Sequence, residues 1–392
     1  MSSFTPTWRS RSAPLSSVLW QTTAPDRSPT DPLDGDSTAE VVIIGAGASG
    51  LWAAWALLDA DPALDVLVID AGTVADGASG RGIGACSAWS GDLPRRPRSR
   101  PDSPPGLTMA LLRDAVIEVG GTVAAEQIDC DFQYRGALRL ARDTRGFTRL
   151  GRTLDPATED RPLDVSAVAR RVLVNGAVGG IDTADCATVQ PVLLLRGLAE
   201  ALVSRGARIA EHTRALRISP GAVVSDQGII RADRIVQATG ACSVPGGRWQ
   251  PSAVSEAGWA TEPASPALWE QVGLRPGQLL HLDGPDAVRL VRTADDRAVL
   301  VTAARRGWRR GGVRSLHRRL ATLIPALGQL PVSQRWSWSR AAMTPYPVGL
   351  DADGIGWVGG HGPEPFAAAN LSGRVLADLL TGSDTALVRA GG

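Results

Sequence analysis

Apolar positions along the chain fall into two rhythms, short unbroken runs and helical spacings of three and four, and their alternation predicts a mixed α/β protein. Val41, Val42, Ile43 and Ile44 form a run short enough for a buried strand, and an Ala- and Trp-rich stretch over 49–58 continues with helical spacing. A second run over 66–69 completes a strand, helix, strand unit. Farther along, the pattern predicts a helix over 107–119, a strand over 136–141, an amphipathic helix over 190–205, and strands over 207–211 and 235–238. The last of these reads as a return to the first sheet. Strands over 287–293 and 298–302, a basic helix near 313–323 and a final helix over 363–380 complete the set. Residues 1–37, rich in Ser, Thr, Pro and Asp with scattered Trp8, Leu19 and Trp20, predict an extended arm on the surface.

Within the first unit the chain reads Gly45-Ala46-Gly47-Ala48-Ser49-Gly50, a GxGxxG spacing directly after an apolar strand and at the mouth of a helix. Each glycine has a physical reason to be there. Gly45 permits a tight turn, Gly47 the close approach of a pyrophosphate, and Gly50 close packing of the helix. The helix N-terminus then offers unpaired N–H groups and the positive end of its dipole to phosphate. Asp70 ends the second strand, where a carboxylate would meet ribose hydroxyls. The same spacing recurs at Gly354, Gly356 and Gly359, but Asp351 and Asp353 stand where an apolar strand should lead in. That second match is therefore read as a decoy, and the first alone does not separate NAD from FAD.

Composition narrows the chemistry. The 392 residues carry 41 basic and 40 acidic side chains, a net charge of +1, which gives no field to draw the chain onto nucleic acid or an anionic membrane. Every basic residue is arginine, so neither a Schiff-base enzyme nor a lysine-bearing P-loop can be built. Cys86, Cys130, Cys186 and Cys242 are far apart and form no CxxC, which suggests reduced thiols and neither a metal site nor a disulfide framework. No run approaches the roughly 20 apolar residues of a membrane helix, and the expected location is the cytoplasm. Neither a GxSxG elbow nor an HExxH is present, which removes the usual support for a hydrolase.

Further segments join the glycine turn: Asp70-Ala71-Gly72, Ala78-Ser79-Gly80-Arg81, Val189-Gln190-Pro191 leading into Gly197-Leu198-Ala199 and Arg205-Gly206, and Ile235 running into Ala238-Thr239-Gly240. Trp338 followed by Met343-Thr344-Pro345, then Gly359-Gly360-His361-Gly362 ahead of the last helix and Gly382, close the series. In this order the chain, from residue 38 onward, resembles the FAD-dependent amine and amino-acid oxidases of the D-amino-acid oxidase superfamily, especially the glycine, sarcosine and gamma-glutamylputrescine oxidase-like branch.

The resemblance implies an α/β plus α+β fold, a Rossmann-like FAD-binding domain with a second, mainly antiparallel β-sheet substrate domain. Residues 38–108, 181–245 and 335–392 would form the discontinuous FAD-binding domain, 109–180 and 246–334 the substrate domain, and 1–37 an N-terminal extension. FAD would rest on the 45–50 turn and Asp70, with the 78–84 loop near its isoalloxazine and the 359–362 turn placing the last helix at the pyrimidine edge. The implied reaction is oxidation of an amine or amino-acid C–N bond to an imine, with hydride transfer to FAD, oxygen as acceptor, a small-molecule substrate and room for a homo-oligomer.

Three departures shape that expectation. Gly82-Ile83-Gly84 replaces the branch's Asn-Gly-Gly; Ser339 stands where some members carry a cysteine linked to FAD, so a noncovalent cofactor is expected; and the lysine that assists oxygen in some members is absent. An amine dehydrogenase with another acceptor, or a noncatalytic FAD-binding subunit, therefore stays open. Arg340 is the candidate clamp for a substrate carboxylate, a role suited to a planar guanidinium, Tyr346 a candidate pocket wall, and His361 a candidate donor to flavin or substrate. His212, His281 and His317 read as surface residues, and the arginines over 95–100 and 305–319 as a solvated loop and helix face.

Overall fold

The computed structural model describes residues 17–89, 109–154, 158–284, 287–304, 320–344, 347–383 and 385. Tyr346, His317 and the arginines over 95–100 and 305–319 lie outside the described residues. Among the described residues the chain builds two eight-stranded sheets and a two-stranded ribbon, Ala85–Ser87 against Cys186–Thr188.

The first sheet runs Val348–Leu350, Ile355–Val358, Ile229–Gln237, Ser37–Ile44, Val66–Ile69, Arg208–Ala210, with the hairpin Ala215–Ser219 and Ala222–Ser225 attached to Ile229–Gln237. Ser37–Ile44 is parallel to both neighbours, and the apolar run explains why: Val41 and Ile43 enter one core while Val42 and Ile44 enter another. A parallel strand covered on both faces has no use for alternation. Ile229–Gln237 returns to this sheet as expected. Helices Ala48–Ala60, Met109–Ala125, Pro191–Ser204 and Pro365–Thr381 contribute to the first of these cores.

In the second sheet the order is Val332–Ala341, Ala253–Thr261, Ala298–Ala303, Val288–Arg292, Leu279–Leu282, Ala137–Ala141, Gly179–Thr183, Arg161–Leu163. Neighbours are antiparallel except Leu279–Leu282 beside Ala137–Ala141. Here the pleat separates two faces. Leu138, Leu140, Leu280, Leu282, Leu290, Leu300 and Trp259 point into a core of their own, shared with Val168 and Trp269 from two short helices. Ala137, Leu279, Val291, Val301, Trp336 and Trp338 point the other way and merge with the core of the first layer. The site lies where this second face meets the first layer.

One expectation is corrected. The N-terminal arm is no mere surface segment: Leu19–Thr22 is a short helix whose Leu19 and Trp20 are buried with Val18 in the main core. Two large apolar side chains among polar neighbours were the sign of this, since each gains on the order of 2 kcal/mol or more from full burial. The glycines at 354 and 356 belong to a hairpin, whose turn is held by Asp351 Oδ1 accepting from the Asp353 and Ile355 N–H groups. No helix among the described residues is long and apolar enough to cross a membrane.

Candidate active site

The strand Ser37–Ile44 delivers the chain into a turn at Gly45, whose φ of 118° suits glycine. A Cβ on Gly50 would stand 1.8 Å from the Gly45 carbonyl oxygen, so helix Ala48–Ala60 can close on the turn only with hydrogen at that position. Asp70 braces the turn: one carboxylate oxygen accepts from the Ala46 N–H at 2.7 Å and the other from the Gly72 N–H at 2.8 Å. Burial pushes its carboxyl above the ordinary value, against those two bonds. Ala71 beside it is exposed.

Ser79 joins the same group, its Oγ accepting from the Ala48 N–H at 3.1 Å. Arg81 turns back on its own loop, with Nε donating to the Asp76 carbonyl and Nη2 to the Asp76 carboxylate, both at 2.8 Å. Gly80 and Gly82 flank it. Ala238 continues from the returning strand, its N–H on the Ile44 carbonyl, and Gly240 accepts the Trp249 indole N–H at 2.8 Å. Thr239 turns its hydroxyl onto the Cys242 carbonyl.

The 359–362 turn reaches the same place from the far end of the chain. His361 Nδ1 lies 3.2 Å from Ser49 Oγ in the first turn of helix Ala48–Ala60, while its Nε2 is buried with no hydrogen-bond partner among the described residues. Burial pushes the imidazole down to about 3, so it is neutral at physiological pH. Gly359, Gly360 and Gly362 around it pack on Trp249, Thr344 and Met343. Glu364 then opens the last helix, Pro365–Thr381, and is itself buried. Its carboxylate accepts from Ser87 Oγ at 2.5 Å; burial raises its pKa, against the pull of Arg289, the Ser87 hydrogen bond and Arg139.

Opposite these groups, register places a row of side chains across the second sheet. Arg139 pairs with His281, His281 with Arg289, Arg289 with Val301, Val301 with Gly258 and Gly258 with Trp336. Two residues along from Gly258 on the same face is Glu256, 1% exposed, which accepts from Arg289 Nη2 at 2.8 Å and lies 3.2 Å from Arg340 Nε. Arg340 also donates from Nη1 to the Ala341 carbonyl. Arg289 Nε is buried without a partner among the described residues. The Arg139 guanidinium lies 4.9 Å over Trp89, whose ring is 6.5 Å from that of His281.

His281 is thus not a surface residue: burial, reinforced by Arg289 and Arg139, pushes it down to about 3. His212 is exposed. The sequence offered Arg340 but not Arg139, Glu256, His281, Arg289 or Glu364. For Arg139, His281 and Arg289 the signal was alternation, polar residues at every second position of strands whose other face is leucine, readable only once strands are paired, whereas Glu256 stands between Ser255 and Ala257 and Glu364 is the N-cap residue of the last helix.

A nucleotide turn of this kind beside a buried charged face admits many redox chemistries. The family model described as FAD dependent oxidoreductase, DAO, matches residues 40–379. The chain belongs to that family. This FAD-dependent oxidoreductase is similar to the probable oxidoreductase OrdL of Rhizobium meliloti, 26% identical over 97% of this chain and 92% of that one. It is also similar to gamma-glutamylputrescine oxidoreductase of Escherichia coli, 27% identical over 54% of this chain and 51% of the relative. Its fold matches the crystal structure of glycine oxidase from Geobacillus kaustophilus at a TM-score of 0.73 and 20% identity, covering 89% of this chain and 96% of that one. The residues present fit FAD: a turn that excludes a Cβ at Gly50, a helix N-terminus behind it, and beside them a buried imidazole nitrogen without a partner among the described residues.

Proposed function

We propose that this FAD-dependent oxidoreductase oxidises the C–N bond of an amino compound that carries a carboxylate. The observation that carries this reading is the arrangement of two guanidiniums, Arg289 and Arg340, on one buried carboxylate, Glu256, with Arg289 Nε unpaired among the described residues. A substrate carboxylate would supply the second anion and take a charge-assisted, planar pairing. Arg340, the clamp expected from sequence, acts in this reading as one of a pair. Relatives named for gamma-glutamylputrescine and glycine lend support to an amino substrate.

FAD, when bound, would supply two-electron acceptor chemistry for oxidation of the C–N bond to an imine, with molecular oxygen as the final acceptor. The chain's own residues do the rest. The 45–50 turn, Asp70, Ser79 and the Ala238 to Gly240 segment would hold the nucleotide, and the N-terminus of the helix Pro365–Thr381 would favour negative charge arriving near it. His361, neutral and held by Ser49 at Nδ1, has Nε2 left for a hydrogen bond to cofactor or substrate. Trp89, Trp336 and Trp338 exclude water. The free thiols Cys86, Cys130, Cys186 and Cys242 suit the reducing cytoplasm.

Anaerobic mixing with a panel of amines, N-methylated amino acids and D- and L-amino acids tests this. Bleaching of the flavin by carboxylate-bearing members, with their decarboxylated analogues far slower, is the expected result; equal bleaching by both sets contradicts the clamp. The absence of lysine favours a second reading, a dehydrogenase, which very slow reoxidation of the bleached enzyme in air would select.

A further inference from the structure

The loop over 78–84 carries glycine at 82, and the structure gives no steric reason for that glycine. A Cβ there would meet nothing closer than the Pro363 carbonyl at 3.9 Å, and Gly82 is absent from the positive-φ residues, whereas Gly84, at φ 75°, would put a Cβ 2.2 Å from the Val189 carbonyl. Gly82 is therefore a point of conformational freedom in a loop that faces the last helix. What fixes it comes from outside the loop. The Trp20 indole N–H donates to the Gly82 carbonyl at 2.8 Å, in a buried bond, and the Trp336 indole N–H donates to the preceding Arg81 carbonyl, also at 2.8 Å.

Trp20 is in turn held on both sides. Gln190 Nε2 donates to the Trp20 carbonyl at 2.6 Å, while Gln190 Oε1 caps the helix Pro191–Ser204 through the Val192 and Leu193 N–H groups. Next door, Gln21 reaches the Asp76 carboxylate and Thr22 Oγ1 accepts from Gln334 of the second sheet at 2.8 Å. Farther along the same segment, Arg27 is paired with the buried Glu211, which also takes the Val74 N–H. The segment before the first strand thus ties the loop to both layers of the fold.

We propose that Trp20 is a positioning residue for the FAD site: its indole N–H fixes the Gly82 carbonyl, and with it the loop whose Ser79 accepts from the Ala48 N–H at the glycine turn. This rests on FAD binding by the family to which the chain belongs and not on any choice of substrate. Trp20→Phe keeps a buried aromatic ring and removes the donor, together with part of the ring volume. Because the freed carbonyl no longer has the donor that holds the loop, FAD binding must bear the cost of ordering it, and the Kd for FAD should rise about tenfold. The flavin absorption bands and the midpoint potential of the bound cofactor should shift, changes that the modest fall in apoprotein melting temperature expected from the lost donor and ring volume would not by itself produce. Gln190→Glu provides the second arm: it keeps the helix-capping oxygen, removes the donor to the Trp20 carbonyl, and should weaken FAD binding in the same direction by less.

Unchanged FAD Kd, spectrum and potential in Trp20→Phe would overturn the proposal. So would a loss of FAD affinity fully matched by loss of apoprotein stability, since that is what a purely structural tryptophan gives. If Trp20→Phe does not fold, Gln190→Glu decides alone, an unchanged Kd and spectrum counting against the proposal. A parent protein that binds no FAD contradicts both this inference and the family's cofactor, whereas FAD binding without turnover of any amino compound contradicts only the proposed reaction.

Discussion

On the first sheet the site is made of backbone: a turn with no room for side chains, N–H groups at a helix mouth, and Asp70 and Ser79 holding that turn in shape. On the second it is made of side chains: Arg139, Glu256, His281, Arg289 and Arg340, drawn from five strands and brought onto one face by register. In the proposed reading the difference separates holding the cofactor from recognising the substrate. A cofactor shared across a family can be cradled by backbone geometry, which tolerates sequence change everywhere except at the glycines. A substrate must be told from its neighbours, and that takes charged groups whose burial is costly unless they are paired.

The sharpest way to break the comparison is to put a side chain into the backbone half. Gly50→Ala sets a methyl 1.8 Å from the Gly45 carbonyl, and it should abolish FAD retention and destabilise the apoprotein by about 4 kcal/mol, measured by urea unfolding. Retained flavin would mean that the turn is not the cradle. In the side-chain half the corresponding change is Glu256→Gln, which leaves Arg289 and Arg340 without their carboxylate. Breaking a buried pair costs about 3 kcal/mol. FAD should still bind to this variant, so loss of stability together with full flavin occupancy separates the two halves.

A third probe uses pH. His361 is buried and neutral with a pKa of about 3, while the unfolded chain's histidine takes up a proton near 6.5. Its native pKa is depressed, so the stability tied to its neutral form is complete above about pH 6.5 and is lost as pH falls toward 3, at about 1.4 kcal/mol per pH unit. Apo His361→Asn should show a shallower fall in urea midpoint between pH 7 and pH 5 than the parent. An unchanged slope would place the imidazole in solvent. The smallest effect is expected at Gly82, where room for a Cβ makes Gly82→Ala neutral or stabilising by up to about 1 kcal/mol in the apoprotein.

The same contrast explains what could be read before the fold was known. Gly45, Gly47, Gly50 and Asp70 are contiguous enough for the spacing itself to carry the chemistry, and the family resemblance extended that reading to the 359–362 turn. The parallel strands were legible because burial on both faces leaves an unbroken apolar run, as at 41–44. Strands such as Val332–Ala341 hid because their exposed face breaks the run, leaving Trp336 and Trp338 as isolated marks. Glu256 and Arg289 were illegible for a further reason: 33 residues separate them, and nothing local tells a buried arginine from a solvated one. Trp20 was misjudged because its polar neighbours hid a side chain whose partners lie at positions 82 and 190.

The central claim is that the charged face of the second sheet selects a carboxylate while the glycine turn holds the cofactor. It is tested most directly by kcat/KM for an amino acid that bleaches the flavin and for its decarboxylated amine, in the parent and in Arg289→Met. The account predicts that the parent prefers the amino acid by at least about 100-fold, as expected for a charge-assisted pair. In Arg289→Met that preference should collapse with FAD occupancy unchanged. An equal preference in both proteins would contradict it.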